Sequence, residues 1–480
     1  MPPQTLRIFV VTLSVALASA TLVRTQPAGA NAGPAGPDGP SFPDIGDHFK
    51  YGSVGTEARV GLPYWLWRVL PVIFADKLPD RPGEGYERLG FVFDEGPQGR
   101  PIGTSFRPGL LDRVGLNCAT CHTGTLRETP SSPRRIIVGM PANQMDLQTY
   151  ARFLTACAQD PRFNADTILG AIRAHNPRFG RFSALFYRLF VIRAARNGIL
   201  DRAKENRWFD DRPPQGPGRV DTFNPYKILR GLPMDATVGT ADLPSLWNQR
   251  PREGLWLHWD GNNDSVVERN KSAAIGAGAT PRSLDVPSIG RIERWIQDLA
   301  PPPFPPARID RTLADAGRAI YAAECASCHD FGAARVGQVT PIAEIGTDRE
   351  RLDSFSADLA REMNQIGRGY PWRFSHFRKT QGYANMPLDG VWLRAPYLHN
   401  GSVPTLRALL SPEERPARFY RAYDVYDWDA LGFVSSGPEA GREGVLFDTT
   451  LRGNGNGGHV YGASLSREDK VRLLEYLKTL

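Results

Sequence analysis

Hydrophobic positions recur at helical spacing in several stretches of the chain. Over residues 143–157 the large apolar side chains fall three or four positions apart, which predicts a helix whose last apolar position, Cys157, faces the core. The same spacing predicts helices over residues 165–174 and 182–204. Because the alternating patterns typical of strands are few and short, the sequence favours a mainly α fold with long irregular loops.

Two further helices are predicted near the start and the end of the C-terminal part, over residues 314–329 and 466–480. The second opens with Ser466 and Asp469 at the spacing of an N-terminal cap, and its leucines lie on one side. Since both helices present one apolar face, we expect them to pack together.

The first residues have the composition of an export signal. Arg7 precedes an apolar run over residues 8–20 that ends in small side chains. The run is shorter than the roughly 20 residues that a spanning helix needs. We therefore expect a periplasmic or secreted protein that is not an integral membrane protein.

Composition and charge narrow the class of partner. Glycine and proline are abundant, with 48 and 41 residues in 480, which indicates long irregular connections. The formal net charge of +7 favours acidic partners, such as a small electron-donor cytochrome or cupredoxin. A nucleic acid is not expected as a partner, because the charge is spread along the chain and the protein is predicted to be exported.

Four of the five cysteines fall in two copies of the pattern Cys-x-x-Cys-His. Two thiols at this spacing can bond to one porphyrin, and the adjacent imidazole can then bind its iron. A zinc site or a redox dithiol would use the thiols but would not explain the histidine after each pair. The predicted cofactors are therefore two covalently bound haem c groups. Their residues are Cys118, Cys121 and His122, and Cys325, Cys328 and His329.

Shifts in composition divide the chain around these motifs. Residues 26–48 are rich in proline, glycine and alanine, and residues 301–306 are five prolines around Phe304, a stiff extended spacer. The predicted units are a signal peptide (1–25), a flexible tail (26–48), an N-terminal cytochrome c-like haem domain with insertions (49–300), a linker (301–306) and a C-terminal cytochrome c domain (307–480).

The sixth iron ligand decides whether a haem carries electrons or reacts with a small molecule. No histidine closely follows the first motif, whereas Met140 and Met145 do. For the second haem the best candidate is His459, which follows a Gly- and Asn-rich loop. Met386 is the alternative, because methionine is a common sixth ligand in electron-transfer cytochromes.

A cluster of aromatic residues lies between the two motifs. Trp247, Trp256 and His258 could lie between the haems or in a distal pocket, and His258 could act there as an acid or base. Equally, the tryptophans could be core residues that fill space around two large porphyrins. The sequence leaves both interpretations open.

The segment 394–406 contains Pro-Tyr-Leu-His-Asn-Gly and resembles a signature of the bacterial di-haem cytochrome c peroxidase superfamily. The resemblance covers the chain from about residue 115 to the C-terminus. It is closest to the rubber oxygenase branch, because of the residues around the first motif and the late loop that carries His459. In addition, the glycine and aromatic residue before the second motif and Tyr476 in the closing helix resemble the small mono-haem cytochrome c fold.

This resemblance implies a mainly α-helical protein in which the N-terminal haem meets the oxidant and the C-terminal haem moves electrons. It implies that His122 and His329 are proximal ligands and His459 a distal one. Tyr397 and His399 match the signature and would lie near the second haem as framework or propionate contacts. The chain departs from typical peroxidases because it lacks the histidine that caps their resting N-terminal haem.

The resulting hypothesis is an exported di-haem oxidoreductase whose first haem binds oxygen or hydrogen peroxide and whose second haem relays electrons. The alternatives are a cytochrome c peroxidase that reduces hydrogen peroxide and a non-catalytic electron carrier with two six-coordinate irons. An oxygenase that cleaves a carbon–carbon double bond would in addition need an apolar distal pocket. The sequence identifies neither the substrate nor a calcium site.

Overall fold

The computed structural model describes residues 42–96 and 99–480. The predicted signal peptide and residues 26–41 of the predicted tail lie outside the described residues. The chain is 42% helical and 11% strand, so helix predominates, as predicted. A first helix, α1, spans Ile45–Tyr51 across the boundary predicted at residue 48, and the buried Phe42 precedes it.

The helices of the first half are short and separated by long loops. They are α1 (Ile45–Tyr51), α2 (Tyr64–Ile73), α3 (Cys118–Cys121), α4 (Leu147–Gln159), α5 (Ala165–His175), α6 (Arg181–Phe186), α7 (Ile192–Glu205), α8 (Asn224–Leu229), α9 (Val266–Gly276) and α10 (Val286–Ile296). Those of the second half are α11 (Arg311–Glu324), α12 (Ala326–His329), α13 (Ile342–Ile345), α14 (Glu350–Ser354), α15 (Ala357–Met363), α16 (Leu406–Leu410), α17 (Gly437–Glu443) and α18 (Arg467–Leu477).

The strands form one three-stranded sheet and several isolated antiparallel pairs. They are β1 (Leu62–Pro63), β2 (Thr104–Arg107), β3 (Arg113–Leu116), β4 (Thr123–Leu126), β5 (Arg135–Val138), β6 (Arg219–Asp221), β7 (Thr240–Asp242), β8 (Val339–Pro341), β9 (Gly382–Ala384), β10 (Arg418–Arg421), β11 (Tyr426–Asp427), β12 (Gly432–Phe433) and β13 (Val445–Asp448). The order in the three-stranded sheet is β1-β3-β2, and the pairs are β4-β5, β6-β7, β8-β9, β10-β13 and β11-β12.

The helices predicted from periodicity are present, and their caps set their bounds. The predicted helix over 143–157 begins only at Leu147, because the Asp146 side chain accepts from the backbone N–H of Thr149. Its Cys157 is fully buried, as predicted. The stretch predicted over 182–204 is α6 and α7 joined by a π-helical turn over Tyr187–Val191.

Helices α11 and α18 pack against each other, as predicted. The Ser466 side chain caps α18 by accepting from the N–H of Asp469. Gly317 of α11 lies so close to α18 that a Cβ atom there would come within 2.0 Å of the Arg472 carbonyl oxygen. The two backbones approach this closely because residue 317 has no side chain.

Replacing Gly317 by alanine is therefore expected to destabilise the fold. The added methyl group has to push α18 away, which costs on the order of 1–3 kcal/mol. Gly170 in α5 is the matched control, because a Cβ atom there meets nothing within 4 Å. Alanine at 170 is expected to stabilise by about 0.5–1 kcal/mol. Denaturant midpoints of the two variants check this, and equal midpoints would contradict the close packing.

The two halves of the chain share a hydrophobic core. One buried cluster contains Ile137, Met140 and Trp247 from the first half together with Trp392 and Leu473 from the second. The backbone of Arg127 also forms a bridge to Val425. The haem motifs are therefore held in one packed body.

The proline-rich segment packs against the second half of the chain. Phe304 is buried, and its ring contacts Trp392 edge-on with 5.2 Å between ring centres. The indole N–H of Trp392 donates to the Pro302 carbonyl at 3.1 Å. The segment thus joins the two halves through packing contacts.

Two loops have the same backbone geometry, one in each half. In the first, the N–H of Leu257 donates to the Asn263 carbonyl at 2.6 Å, and in the second, that of Tyr397 donates to Val403 at 2.7 Å. Both loops have a left-handed residue at their second position and a left-handed glycine at their fifth, Gly261 or Gly401. The shared geometry indicates that part of the fold is repeated.

Candidate haem centres

The first Cys-x-x-Cys-His motif lies between two strands. Strand β3 leads into α3, and β4 follows it. Asn117 caps α3 by accepting from the N–H of Ala119 at 3.0 Å and anchors it by donating to the Gly52 carbonyl at 2.8 Å. One short helical turn therefore carries Cys118 and Cys121, and His122 follows at its end.

The His122 ring is fixed by a backbone carbonyl. Its Nδ1 lies 2.8 Å from the Pro244 oxygen, and because a carbonyl only accepts, Nδ1 carries the proton. The lone pair is therefore on Nε2, the nitrogen that can bind iron. Burial and the neighbouring charge of Arg269 lower the pKa of His122 to about 3, so the imidazole is neutral.

The second motif repeats this arrangement. Helix α11 ends beside Cys325, and α12 carries Cys328 and His329. Nδ1 of His329 donates to the carbonyl of Met386 at 2.7 Å, and burial lowers the pKa of the ring. Met386 thus lies on the side of His329 away from its iron-binding nitrogen, which disfavours it as the sixth ligand.

A second imidazole faces His329. The ring centres of His329 and His459 are 6.3 Å apart, with 43° between their planes. Two imidazoles bound to one metal through bonds of about 2 Å place their ring centres roughly 6 Å apart. Burial and the proximity of His329 lower the pKa of His459 to about 4, so both rings are neutral. This spacing fits two imidazoles that would together hold one haem iron.

Arg415 holds the loop that presents His459. Its Nη1 donates to the carbonyl oxygens of Asn456 at 2.7 Å and Gly458 at 2.8 Å. Its Nη2 donates to those of Leu409 at 2.9 Å and His459 at 3.1 Å. Sequence reasoning missed Arg415, because its partners are backbone groups that no residue pattern reveals.

Replacing Arg415 by glutamine is expected to loosen the His459 loop. The variant loses most of these charge-assisted hydrogen bonds, which contribute about 1.5–3 kcal/mol each. We expect part of the second haem to change from low spin to high spin, as measured by absorbance and paramagnetic resonance. Arg407→Gln is the control, because Arg407 is exposed and donates to the carbonyl of Asp429, which is not part of the His459 loop. An unchanged spin state in Arg415→Gln would contradict this role.

The predicted signature residues support the same loop. Asn400 and Ser402 donate to the Gly455 carbonyl at 2.9 and 3.0 Å. Nε2 of His399 lies 3.1 Å from the Tyr383 hydroxyl, and the two rings stack with 4.1 Å between centres. This contact occupies the nitrogen that would otherwise bind iron, so His399 has the surroundings of a framework residue.

Tyr397 also lies in a framework position. It is buried, and its hydroxyl donates to the carbonyls of Val391 at 3.1 Å and Leu431 at 3.2 Å. These bonds fix the start of the 397–403 loop.

The structure separates the three aromatic candidates of the first half. Trp247 is fully buried, and its indole donates to the Val138 carbonyl at 3.1 Å. Trp256 is partly exposed and stacks under the Arg378 guanidinium at 3.8 Å. His258 donates from Nδ1 to Asn262 at 2.6 Å, and burial with the charge of Arg269 lowers its pKa to about 3. His258 therefore presents a neutral ring beside Phe377.

A link between the halves runs through Trp259, which sequence reasoning did not single out. Its indole N–H donates to the Asp242 carbonyl at 2.8 Å, and the Asp242 N–H donates to the His399 carbonyl at 2.9 Å. Trp259 and His399 occupy the same third position of the repeated loops. Alignment of the two loops could have revealed this residue.

The residues fit two haem c groups. Each motif offers two thiols and one neutral imidazole whose Nε2 lone pair is available. In addition, Arg269 lies near Cys118 and His122, and no carboxylate of the described chain lies within ion-pairing distance of it. Burial lowers the pKa of Arg269 to about 10. The negative charge of a haem propionate beside it would raise that pKa again.

The surroundings of the first motif differ from those of the second. In residues 42–96 and 99–480, no imidazole faces His122 as His459 faces His329. Met140 and Met145 are buried in two hydrophobic clusters that do not contain Ala119 of the first motif. The cluster that contains Ala119 is rich in phenyl rings, those of Phe49, Phe223, Phe355, Phe374 and Phe377.

The described residues contain neither a membrane-spanning helix nor a cluster of metal-binding side chains. None of their helices has the length and apolarity to cross a membrane. Nor do three or more of their His, Cys, Asp or Glu side chains gather in a group that could hold a metal ion.

Comparison with known proteins adds independent support. Residues 382–420 match a family model described as RoxA-like, cytochrome c-like. Uncharacterized protein y4iM of Sinorhizobium fredii is 31% identical over an alignment 277 positions long, which includes 51% of this chain and 62% of that protein. Uncharacterized protein y4iJ of the same organism is 25% identical over an alignment 519 positions long, which includes 82% of this chain and 84% of that protein. The chain thus spans less than two thirds of the first relative.

The matched segment coincides with the second centre. It contains Met386, which fixes His329, the 397–403 loop, and Arg415. A cytochrome c-like segment implies haem c as its cofactor. Residues 382–420 are therefore similar to the RoxA-like cytochrome c family and indicate a haem oxidoreductase.

Proposed function

We propose that this chain is an exported di-haem c oxidoreductase of the rubber oxygenase and di-haem peroxidase type. In this proposal the centre at His122 meets oxygen or hydrogen peroxide, and the centre at His329 and His459 transfers electrons. The observation that carries it is the asymmetry between the centres, because the paired imidazole is found at His329 and not at His122. Haem c, when bound, supplies one-electron and oxygen or peroxide chemistry.

The residues around the first motif would exclude water. Phe223 and Phe355 lie with ring centres 4.9 Å apart, and Phe374 and Phe377 with centres 5.6 Å apart. His258 stacks near Phe377 at 6.3 Å. Since its Nδ1 proton is held by Asn262, His258 could accept a proton at Nε2 but has none to give there.

The second centre would connect to the first through fixed side chains. Tyr383 and His399 stack near it, and Asp242 and Trp259 continue the contact into the first half. The net charge of +7 suits an acidic donor or acceptor, such as a small cytochrome or cupredoxin.

Carbon monoxide binding to the reduced protein tests this function. We expect one carbon monoxide per chain, because a five-coordinate iron binds it and an iron with two imidazoles does not. No binding would favour the non-catalytic electron carrier. Binding at both centres would remove the proposed asymmetry.

Two turnover assays then separate the remaining reactions. Oxidation of a reduced small cytochrome by hydrogen peroxide would identify a peroxidase. Oxygen uptake that depends on an unsaturated apolar substrate would identify an oxygenase.

A further inference from the structure

One cavity in the structure is lined by no residue of either Cys-x-x-Cys-His motif, although Leu116, two residues before Cys118, lies on its wall. It has a volume of about 980 Å³, near the upper end of the roughly 300–1,000 Å³ of small-molecule sites. Residues of helices α4, α7 and α8 and of strand β3 line it. Small residues on its wall leave this space open, among them Ala151, Ala195 and Gly198.

Most of the lining is apolar. Leu147, Tyr150 and Leu154 come from α4, and Val191 and Ile199 from α7. Phe190 also lines the cavity, although 61% of its surface is exposed. Phe182, about two helical turns before it, is 91% exposed. An apolar surface therefore runs from the solvent into the cavity.

One end of the cavity is cationic. Arg202 donates to the carbonyls of Val60 at 3.2 Å and Arg59 at 2.8 Å, and Arg113 lies 3.4 Å from the carbonyls of Glu57 and Ala58. Three guanidinium groups thus gather at the turn 57–60. Burial and the neighbouring charge of Arg59 lower the pKa of Arg202.

This positive charge is balanced only in part, by Glu205 beside Arg202. In the described ranges no carboxylate oxygen lies within 4 Å of Arg59, Arg113 or Arg202. The cations on the lining are Arg59, Arg113, Arg152, Arg202 and Arg207, and the acids are Glu205 and Asp210. Like charges gathered beside an apolar space are costly unless an anion joins them.

We propose that this cavity binds a single-chain anionic amphiphile, such as a long-chain fatty acid. Its carboxylate lies against Arg59, Arg113 and Arg202, and its alkyl chain lies along the apolar wall that α4 and α7 form together. The site would take this ligand whatever reaction the first haem performs. The segment 26–41 of this chain is not a suitable occupant of the cavity, because it contains no large apolar side chain.

Calorimetric titration of the haem-loaded protein tests the site. The probe is sodium myristate, a saturated chain that offers no double bond for oxidation, at a concentration below micelle formation. Tetradecyltrimethylammonium, with the same chain length and the opposite charge, is the matched probe. We expect one myristate per chain and no binding of the cation.

Two pairs of variants locate the ligand. Arg59→Gln and Arg202→Gln are expected to weaken myristate binding about tenfold or more, because each removes a charged hydrogen-bond donor. Arg173→Gln, an exposed arginine outside the cavity, is expected to leave it unchanged. Gly198→Phe is expected to block the cavity and Gly170→Phe to leave it open, since a Cβ atom at either glycine meets nothing within 4 Å.

Three results would overturn the proposal. Equal binding of both amphiphiles would show that the arginines do not select charge. Unchanged affinity in Arg59→Gln, Arg202→Gln and Gly198→Phe would place the ligand elsewhere. Binding to phosphatidylglycerol vesicles without binding of monomeric myristate would make this face a membrane-docking surface. None of these readouts uses turnover, so they are independent of the proposed oxidoreductase activity.

Discussion

Replacing His459 by alanine is expected to abolish the low-spin signal of the second haem in paramagnetic resonance. The ring of His459 lies 6.3 Å from that of His329, a spacing at which both rings would hold one haem iron, and its removal would leave His329 alone there. A high-spin signal should replace the low-spin one. Added imidazole should restore low spin, because it can occupy the position left by the side chain.

The backbone at residue 459 calls for a second variant. His459 has φ of 46°, a left-handed conformation that alanine adopts at a cost and asparagine tolerates. His459→Asn should therefore give the same loss of low spin without backbone strain. His376→Ala is the control, since His376 is exposed and pairs with Asp264 at 2.6 Å. If the low-spin signal survives in both His459 variants, His459 is not the ligand.

Replacing both cysteines of one motif by alanine is expected to remove one covalent haem per chain. Each thiol pair lies beside its own histidine, so loss of Cys118 and Cys121 should leave the haem at Cys325 and Cys328 attached. The reciprocal variant should retain only the first haem. Alkaline pyridine spectra and intact mass measure the number of haems per chain.

Cys157→Ala is the matched control for the thiol substitutions. Its side chain is fully buried in the core around α4, so the variant should keep both haems. Because a chain with one haem can fail to accumulate, mass analysis of peptides from the wild-type protein provides a second measurement. A haem-modified peptide from each motif is expected, and an unmodified motif would contradict a di-haem protein.

The attachment chemistry is a prediction that rests on the sequence alone, because the pattern is local. A thiol pair and a histidine in five consecutive residues define a haem c motif whatever surrounds them. The same holds for the helices, since apolar spacing and caps such as Ser466 act within a few residues. For residues 301–306, composition indicates a stiff spacer but does not reveal that Phe304 is buried against Trp392.

The sequence by itself thus determined two haem motifs, a predominance of helix and a short set of candidate ligands. Only the tertiary structure decided that His459 faces His329 and that no imidazole of the described chain faces His122 in this way. The choice rests on contacts between distant segments, such as those of Arg415 with the loop before His459. The partners that orient the rings of His122 and His329 are backbone carbonyls, which every residue carries and no sequence pattern marks.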